Sequence, residues 1–327
     1  IIRRGVSSFV NDGFGWLREV FLAFGMIVVL FGSLVLMTGS TPPMVVVESQ
    51  SMMTSDESQI GVIDPGDIIL VTAPDRRSIV TYVEAIEEGS PVEGHSAHGL
   101  PGDVIIYSKN GGSDTPVIHR AILFAEANLT VDSLNGACEE GVLDELLQGP
   151  SGLFGACILT WDVPGSTVRN VTSINLALPG YSCHSHGHLV VSNWIPDHEG
   201  YLTTGDNLRS NGCTLDQYIA TGDDSHFSGL RDENGIPVTA VRQIWVSGIA
   251  GPEIPWFGIV KLAASSNASE VTSDAWMDLG TAVVILILAV LIGEQLVARI
   301  LQSAPEYTHS DNQSEEDWHD EESHEEE

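Results

Sequence analysis

Residues 101–124 read PGDVIIYSKNGGSDTPVIHRAILF and contain two apolar, β-branched runs on either side of a polar turn. The first run covers residues 104–107 and the second covers residues 117–124. Short runs of Val, Ile, Tyr and Phe that are bounded by Gly, Pro, Asn and Asp predict β-strands, so this stretch predicts a hairpin. The Pro-Gly-Asp sequence at 101–103 predicts a tight turn directly before the first strand.

The same pattern recurs on both sides of this hairpin. A second Pro-Gly-Asp turn precedes an apolar run, and further strands are predicted at residues 44–47, 68–71, 189–191 and 241–246. The sequence therefore predicts a mainly β domain over residues 39–275, built from hairpins with little helix. Two stretches interrupt the pattern. Residues 73–101 are rich in Gly and His and predict a surface excursion, and residues 125–200 predict a loop-rich insertion.

Two long apolar segments flank the β domain. Residues 20–37, VFLAFGMIVVLFGSLVLM, contain no charge and would extend ~27 Å as a helix, close to the ~30 Å hydrocarbon core of a bilayer. They predict a transmembrane anchor over residues 20–38. A second run at 279–293 predicts another transmembrane helix over 276–298 when its flanks are included. A cleavable signal peptide is the alternative for the first segment, and a buried core helix is the alternative for the second.

The basic residues predict the topology. Arg3, Arg4 and Arg18 precede the first segment, and no basic residue follows it until Arg76. The positive-inside rule places residues 1–19 in the cytoplasm, residues 39–275 outside the plasma membrane, and a disordered acidic tail at 299–327 in the cytoplasm. All four cysteines lie in the external part, an even number that suits disulfides, and their three pairings stay open: Cys138, Cys157, Cys183 and Cys213.

The chain of 327 residues is strongly acidic, with 45 Asp and Glu against 13 Lys and Arg and a net charge of −32. Residues 306–327 hold 11 of the acids and no Lys or Arg, which leaves about −21 on the rest. Such a surface stays hydrated where salt screens repulsion, so we interpret it as adaptation to high salt. It also repels phosphate backbones, which excludes nucleic acid as an expected partner.

Three polar segments could supply catalytic groups: one around Ser51, one around His119, and one that contains Asp206 and Asp216. A serine hydroxyl needs a base to accept its proton, an imidazole can be that base, and a carboxylate fixes the imidazole tautomer. The order of these residues along the chain does not show whether they meet in the folded protein. Without further information, Ser51 is an ordinary turn serine, His119 is a packed strand residue, and Asp206 belongs to an ordinary turn.

The segments VVVESQSM (45–52), GDIILV (66–71), GDVIIY…VIHRA (102–121) and YLTTGDN…DQ (201–217) together resemble the successive boxes of type I signal peptidases. The likeness is to the archaeal and endoplasmic-reticulum branch, and GPEIPWFGIVKL (251–262) resembles that family's closing region. The resemblance implies a signal-peptidase-like β catalytic domain with Ser51 as nucleophile and His119 as general base.

The last box departs from the family's spacing, because Asp206 and Asp216 are ten residues apart where about six are usual. Either acid could orient His119. We favour Asp216 as the orienting acid and Asp206 as structural support, and expect Arg120 to pair with a nearby carboxylate. Thr54 also departs from the family, which usually has proline at that position.

The resemblance implies a membrane-bound serine endopeptidase that removes signal peptides from exported preproteins and needs no cofactor or metal. Its expected partners are secretory preproteins, the lipid membrane and the translocation machinery. One alternative is a catalytically silent, membrane-anchored binding or assembly protein of the same fold. Another is a metal-binding surface receptor, since three alternate histidines on a strand would share one face: His184, His186 and His188.

Overall fold

The computed structural model describes residues 5–131, 153–154, 157–183, 187–207, 215–217, 229–265 and 267–303. Within these ranges the chain forms twelve β-strands and four α-helices. In chain order they are α1 (Gly5–Thr38), β1 (Met44–Val46), β2 (Ile68–Thr72), α2 (Tyr82–Ile86), β3 (Ser96–Ala97), β4 (Leu100–Pro101), β5 (Val104–Tyr107), β6 (Val117–Val131), β7 (Leu153–Phe154), β8 (Cys157–Asp162), β9 (Ile174–Cys183), β10 (Gly187–Trp194), β11 (Gly200–Thr204), β12 (Val246–Ile254), α3 (Ile259–Ala263) and α4 (Ser273–Ser303).

The architecture is mainly β. Eight strands form one antiparallel sheet in the order β1-β2-β12-β5-β6-β8-β7, with β11 also paired to β6. The long strand β6 connects three other strands of this sheet. It pairs with β5 at residues 117–120, with β11 at 120–125 and with β8 at 126–131. Strand β1 lies at one end of this order. The hairpin predicted from residues 101–124 is therefore present as β5 and β6.

Hydrophobic clusters hold this sheet to its neighbours. The largest cluster joins β6, β8 and β11 to α2 and to the separate two-stranded sheet of β9 and β10, with Leu123, Trp161 and Leu202 fully buried. A second cluster contains Tyr107, Ala121 and residues of β12. Burying whole Leu and Trp side chains contributes roughly 2 kcal/mol or more each, so β6 is a rigid base for its side chains.

The strand predicted at residues 241–246 is wrong. Residues Gln243–Trp245 form a 3-10 turn, in which the Trp245 N–H donates to the Arg242 carbonyl at 2.9 Å, and β12 begins only at Val246. Ile244 is 85% exposed. The Arg242 guanidinium lies 5.5 Å from the centre of the Trp245 ring, a cation–π contact that favours the turn.

The prediction that residues 73–101 form a surface excursion is wrong for α2. This helix buries Tyr82 and Val83 in the largest hydrophobic cluster. Thr81 and Glu84 form a capping box that starts this helix. Gly102 has φ of +78°, and a Cβ there would lie 2.5 Å from the Tyr82 nitrogen, so only glycine lets α2 pack this closely. In residues 125–200, the described part forms β7, β8, β9 and the end of β6 where loops were expected, and the strand predicted at 189–191 is present within β10.

Two helices are long and apolar enough to cross a membrane by length and composition: Leu17–Thr38 within α1 and Ser273–Arg299 within α4. Their apolar side chains are exposed all around, and of their most apolar windows 0% and 6% are buried. Helices that are apolar on every side without protein packing suit a lipid environment. The two helices therefore suggest membrane association.

The chain divides into two compact units, Ile1–Leu279 and Gly280–Glu327. The first unit contains the β domain, α1 and the first turns of α4. The described part of the second unit is the remainder of α4, up to Ser303. The disordered tail was predicted at 299–327, but residues 299–303 continue α4, and residues 304–327 lie outside the described residues.

Candidate active site

A buried histidine and a buried aspartate form a close pair inside the β domain. His119 is 4% exposed, Asp216 is 3% exposed, and His119 Nδ1 lies 2.6 Å from Asp216 Oδ2. A carboxylate at Nδ1 retains the proton on that nitrogen and leaves Nε2 as the basic nitrogen of the ring. The pair is thus arranged as a base with its orienting acid.

Further donors hold Asp216 in place. Tyr107 Oη donates to Asp216 Oδ2 at 2.9 Å, and Thr203 Oγ1 lies 2.7 Å from the same oxygen. The Asp216 backbone N–H donates to the Thr203 carbonyl at 2.9 Å, and Gln217 binds Thr203 through both atoms of its amide. Burial raises the pKa of Tyr107 well above its ordinary value, and the Asp216 charge raises it further, so Tyr107 stays a neutral donor.

The sequence alone does not assign roles to these supporting residues. Tyr107 ends the run GDVIIY, Thr203 lies in YLTTGDN, and Gln217 follows Asp216, so all three belong to the boxes that carry the resemblance. Their position in those boxes was the one feature of the sequence that could have indicated a role near the site. Their contact with Asp216 depends on the pairing of β11 with β6, which no local pattern predicts.

The second acid of the last box binds the arginine next to His119. Arg120 is fully buried, with Nε 2.9 Å from Asp206 Oδ1 and Nη2 2.6 Å from Asp206 Oδ2. The remaining guanidinium protons go to backbone carbonyls of the 97–102 segment. Of the two acids that the sequence left open, Asp216 contacts His119 and Asp206 contacts Arg120.

The candidate nucleophile lies in a turn after β1. The Met53 N–H donates to the Gln50 carbonyl at 3.1 Å, which closes the turn around Ser51 without a proline at position 54. Asn207 fixes the turn from outside, since its N–H donates to the Ser51 carbonyl at 2.9 Å and its side chain donates to the Gln50 carbonyl at 2.6 Å. Ser51 Oγ lies 3.2 Å from Ser49 Oγ.

Residues on both sides of His119 connect it to this turn. Ile118 packs against the cluster that contains Met52, which is 1% exposed. Arg120 binds Asp206, the residue before Asn207. Ser51 and His119 therefore lie in one region of the domain, although the described hydrogen bonds do not join them directly. In enzyme structures without substrate, hydrogen bonds between catalytic groups are often long or poorly aligned and tighten only when substrate binds.

The turn is also tied to the segment that leads into α4. The Gln50 side chain donates to the Glu270 carbonyl at 2.9 Å, and Glu48 accepts from Lys261 at 2.8 Å and from Asn267 at 3.0 Å. Farther along, the Ser58 N–H donates to Asp274 at 2.6 Å. These contacts hold the Ser51 segment against residues 261–274, at the start of the second apolar helix.

Several carboxylates order the loop that follows Ser51. Asp64 accepts from the Gln59 N–H at 2.6 Å, Asp67 accepts from the N–H groups of Asp64 and Trp256 at 2.9 Å each, and Glu253 accepts from the Gly61 N–H. Burial raises the pKa of Asp64 to about 6 and that of Asp67 to about 7, and the charge of Glu253 adds to both shifts.

This cluster predicts a stability that depends on pH. The folded-state pKa values of Asp64 and Asp67 lie above the ordinary value of about 4, so their stabilising contribution is complete below about pH 4. It is lost as the pH rises to about 7. The unfolding temperature of the wild type, measured in constant molar salt, is expected to fall between pH 5 and pH 7.5.

The change Asp64→Asn is expected to reduce that fall by about half, because the amide oxygen still accepts from Gln59 without a charge that titrates. Asp75→Asn removes a charge from an exposed position and is the control. Equal slopes of unfolding temperature against pH for the wild type and Asp64→Asn would contradict the prediction.

Other candidate groups do not enter this site. Lys109 Nζ lies 2.6 Å from Asp114. Cys183 is in a disulfide, and no cysteine among the described residues is free. Cys138 and Cys213 lie outside the described residues, as do His184 and His186 of the possible metal site. Across the part of the chain that the structure describes, no group of three or more His, Cys, Asp or Glu could hold a metal ion.

Comparisons of the chain with protein-family models, with curated proteins and with solved structures found no match. The functional assignment therefore rests on the residues and their geometry.

Proposed function

We propose that this protein is a membrane-bound serine endopeptidase that removes signal peptides from exported preproteins. The observation that carries the proposal is the buried hydrogen bond of 2.6 Å between His119 and Asp216. It lies in one region with the Ser51 turn, and the same residues carry the resemblance to type I signal peptidases.

The proposed reaction uses one hydroxyl, one imidazole and one carboxylate. Ser51 Oγ attacks the scissile carbonyl while His119 Nε2 accepts its proton, and His119 then gives that proton to the leaving amine. Water, deprotonated by the same nitrogen, cleaves the resulting acyl-enzyme and restores the Ser51 hydroxyl. Asp216 stabilises the imidazolium in both halves of the reaction. Backbone N–H groups of the turn are the expected donors to the oxyanion.

The substrate is expected to bind as an added strand. Strand β1 ends the order of the main sheet and leads within five residues to Ser51. An edge strand offers backbone groups that an extended peptide can pair with. A preprotein would thereby present its cleavage site along β1 toward the serine.

The membrane anchors suit this substrate. The apolar helices α1 and α4 would keep the enzyme in the plasma membrane, where a signal peptide exposes its cleavage site just outside the bilayer. The disulfide at Cys183 supports placement of the β domain in an oxidising compartment, on the external side. Secretory preproteins, and with them the translocation machinery, are the proposed partners.

The proposal predicts that the purified full-length protein, in detergent and molar salt, cleaves a preprotein once, between the signal peptide and the mature sequence. The new N-terminus is read by mass spectrometry. A preprotein with a bulky residue directly before the cleavage site is the control and should stay intact. Absence of any cleaved product with several native preproteins would contradict the proposal.

One observation favours a catalytically silent binding protein of the same fold: Ser51 Oγ is hydrogen-bonded to Ser49 and not to His119. This alternative predicts that preproteins bind the protein and are released uncut. Measurement of binding and cleavage in the same samples separates the two functions.

A further inference from the structure

Three Asn-X-Ser/Thr sequences lie in the part of the chain that the structure describes, and they begin at Asn128, Asn170 and Asn267. This sequence is the acceptor for N-linked glycans when X is not proline, and a bulky glycan requires that it lie at the surface. The sugar is joined to the side-chain nitrogen, Nδ2. The contacts of that nitrogen therefore decide which of the three asparagines can carry a glycan.

The side-chain amide of Asn128 is used inside the fold. Asn128 lies on β6 and is paired with Thr160 of β8, whose hydroxyl donates to the Asn128 carbonyl at 3.1 Å. Asn128 Nδ2 donates to Asn170 Oδ1 at 2.9 Å, and Asp162 Oδ2 lies 3.4 Å from the same nitrogen. A sugar on this nitrogen would displace one of these two partners, so we expect Asn128 to stay unmodified.

The side-chain amide of Asn267 also has a partner. Asn267 is half-buried, and its Nδ2 donates to Glu48 Oε2 at 3.0 Å, among the contacts that hold the Ser51 segment. It precedes by a few residues the start of α4 at Ser273, an apolar helix that suits a lipid environment. The nitrogen is engaged and the position is close to the expected bilayer, so we expect Asn267 to stay unmodified.

Asn170 differs from the other two because it is exposed, in the loop between β8 and β9. Its backbone φ is +51°, a left-handed conformation that asparagine adopts more readily than most residues. The Asn170 N–H donates to Asp162 Oδ1 at 2.7 Å, which fixes the loop at this residue. Asn128 directs its donor nitrogen at the Asp162 carboxylate, which can only accept, so the Asn170 atom that faces the same nitrogen must be the oxygen.

The Asn170 amide is therefore held with its oxygen toward Asn128, and its nitrogen points in another direction. Among the described residues, no hydrogen bond uses Asn170 Nδ2. Val171 is half-buried against the largest cluster and is paired with Trp161, whereas Thr172 is exposed. Asn170 and Thr172 thus both face solvent, which lets a single enzyme contact the amide and the hydroxyl together.

We propose that Asn170 is an N-glycosylation site of this protein. A bond forms between Asn170 Nδ2 and C1 of the first sugar, and the bond from C1 to the phosphate of a lipid-linked glycan breaks. The phosphate leaves with the electron pair, and Nδ2 loses one of its two protons to a base of the glycosyltransferase. Oδ1 takes no part, so it continues to accept from Asn128 and holds the first sugar in place. The site rests on the external placement of the β domain in the proposed function.

The test uses the full-length protein, produced in a salt-adapted host that N-glycosylates its own surface proteins. Glycan occupancy at each of the three asparagines is read by mass spectrometry of peptides. We expect occupancy at Asn170 to be at least about ten-fold higher than at Asn128 or Asn267. Asn170→Gln and Thr172→Val should each abolish the glycan. Thr172→Ser should retain it, because a serine hydroxyl also completes the acceptor sequence.

The matched control is Asn234→Gln, which changes an exposed asparagine outside any acceptor sequence and should keep the glycan. Asn170→Gln should cleave a preprotein within about two-fold of the wild type, since exposed substitutions away from a site change little. Equal occupancy at Asn128 would overturn the proposal, as would an unmodified Asn170 in membranes whose resident surface proteins carry glycans. A protein that carries the glycan but cleaves no preprotein would overturn the protease function alone.

Discussion

Changing Ser51 to alanine is expected to lower kcat for preprotein cleavage by about a million-fold, and His119→Ala is expected to lower it by about as much. A nucleophile and its base act as one unit, so loss of either removes the same rate enhancement. The double variant should therefore be no slower than either single variant. The measurement is single-turnover cleavage in molar salt.

Two controls accompany this series. Ser55→Ala removes a hydroxyl that donates to the Glu57 carbonyl in the same loop, and His188→Ala removes a histidine on β10. Both should retain cleavage within a few-fold. If the effects of Ser51→Ala and His119→Ala instead multiply in the double variant, the two residues do not act together and the proposed mechanism is wrong.

Substitutions of Asp216 and Asp206, the two acids of the last box, are expected to have different effects. Asp216→Asn should lower kcat by about ten-thousand-fold with little change in unfolding temperature, because an amide can donate to His119 Nδ1 and stabilise the wrong tautomer. Tyr107 Oη and Thr203 Oγ1 contact this same Oδ2 position, and either hydroxyl can rotate to accept the second amide hydrogen.

Asp206→Asn should act on stability. It leaves the Arg120 charge buried without a carboxylate, a loss of about 3–5 kcal/mol that corresponds to a fall of about 10 °C in unfolding temperature. At temperatures where this variant stays folded, its kcat should be within about ten-fold of the wild type. Measurement of kcat and unfolding temperature for both variants identifies the acid that orients His119. If Asp206→Asn lowers kcat and Asp216→Asn lowers the unfolding temperature, the orienting role belongs to Asp206.

The physical reason for this division is the alternation of side chains along β6. His119 and Arg120 are consecutive strand residues, so their side chains leave opposite faces of the strand and meet different partners. Asp216 reaches the His119 face through the backbone pairing of residues 203 and 216. Asp206, just beyond the end of β11, reaches the Arg120 face.

Local patterns predicted strands where each run had its own turn signals, as at 104–107 and 117–124. They failed in two other places, for different reasons. Residues 241–246 have the composition of a strand, yet a local contact between Arg242 and Trp245 stabilises a turn, so composition alone did not separate the two structures. Residues 73–101 have the composition of a surface loop, yet the close approach at Gly102 lets Tyr82 enter the core. That second contact joins separate parts of the chain and leaves no mark in a short window of sequence.

The order of residues alone determined the β character of the central region, the two apolar helices and the small group from which the catalytic candidates come. The strands depend on composition and on side-chain alternation with a period of two, and the apolar helices depend on long runs without charges. Both are local properties of the sequence. Tertiary structure alone decided which acid meets His119 and which meets Arg120. Those outcomes depend on strand register across more than eighty residues, and register is set by the burial of whole faces rather than by any one segment.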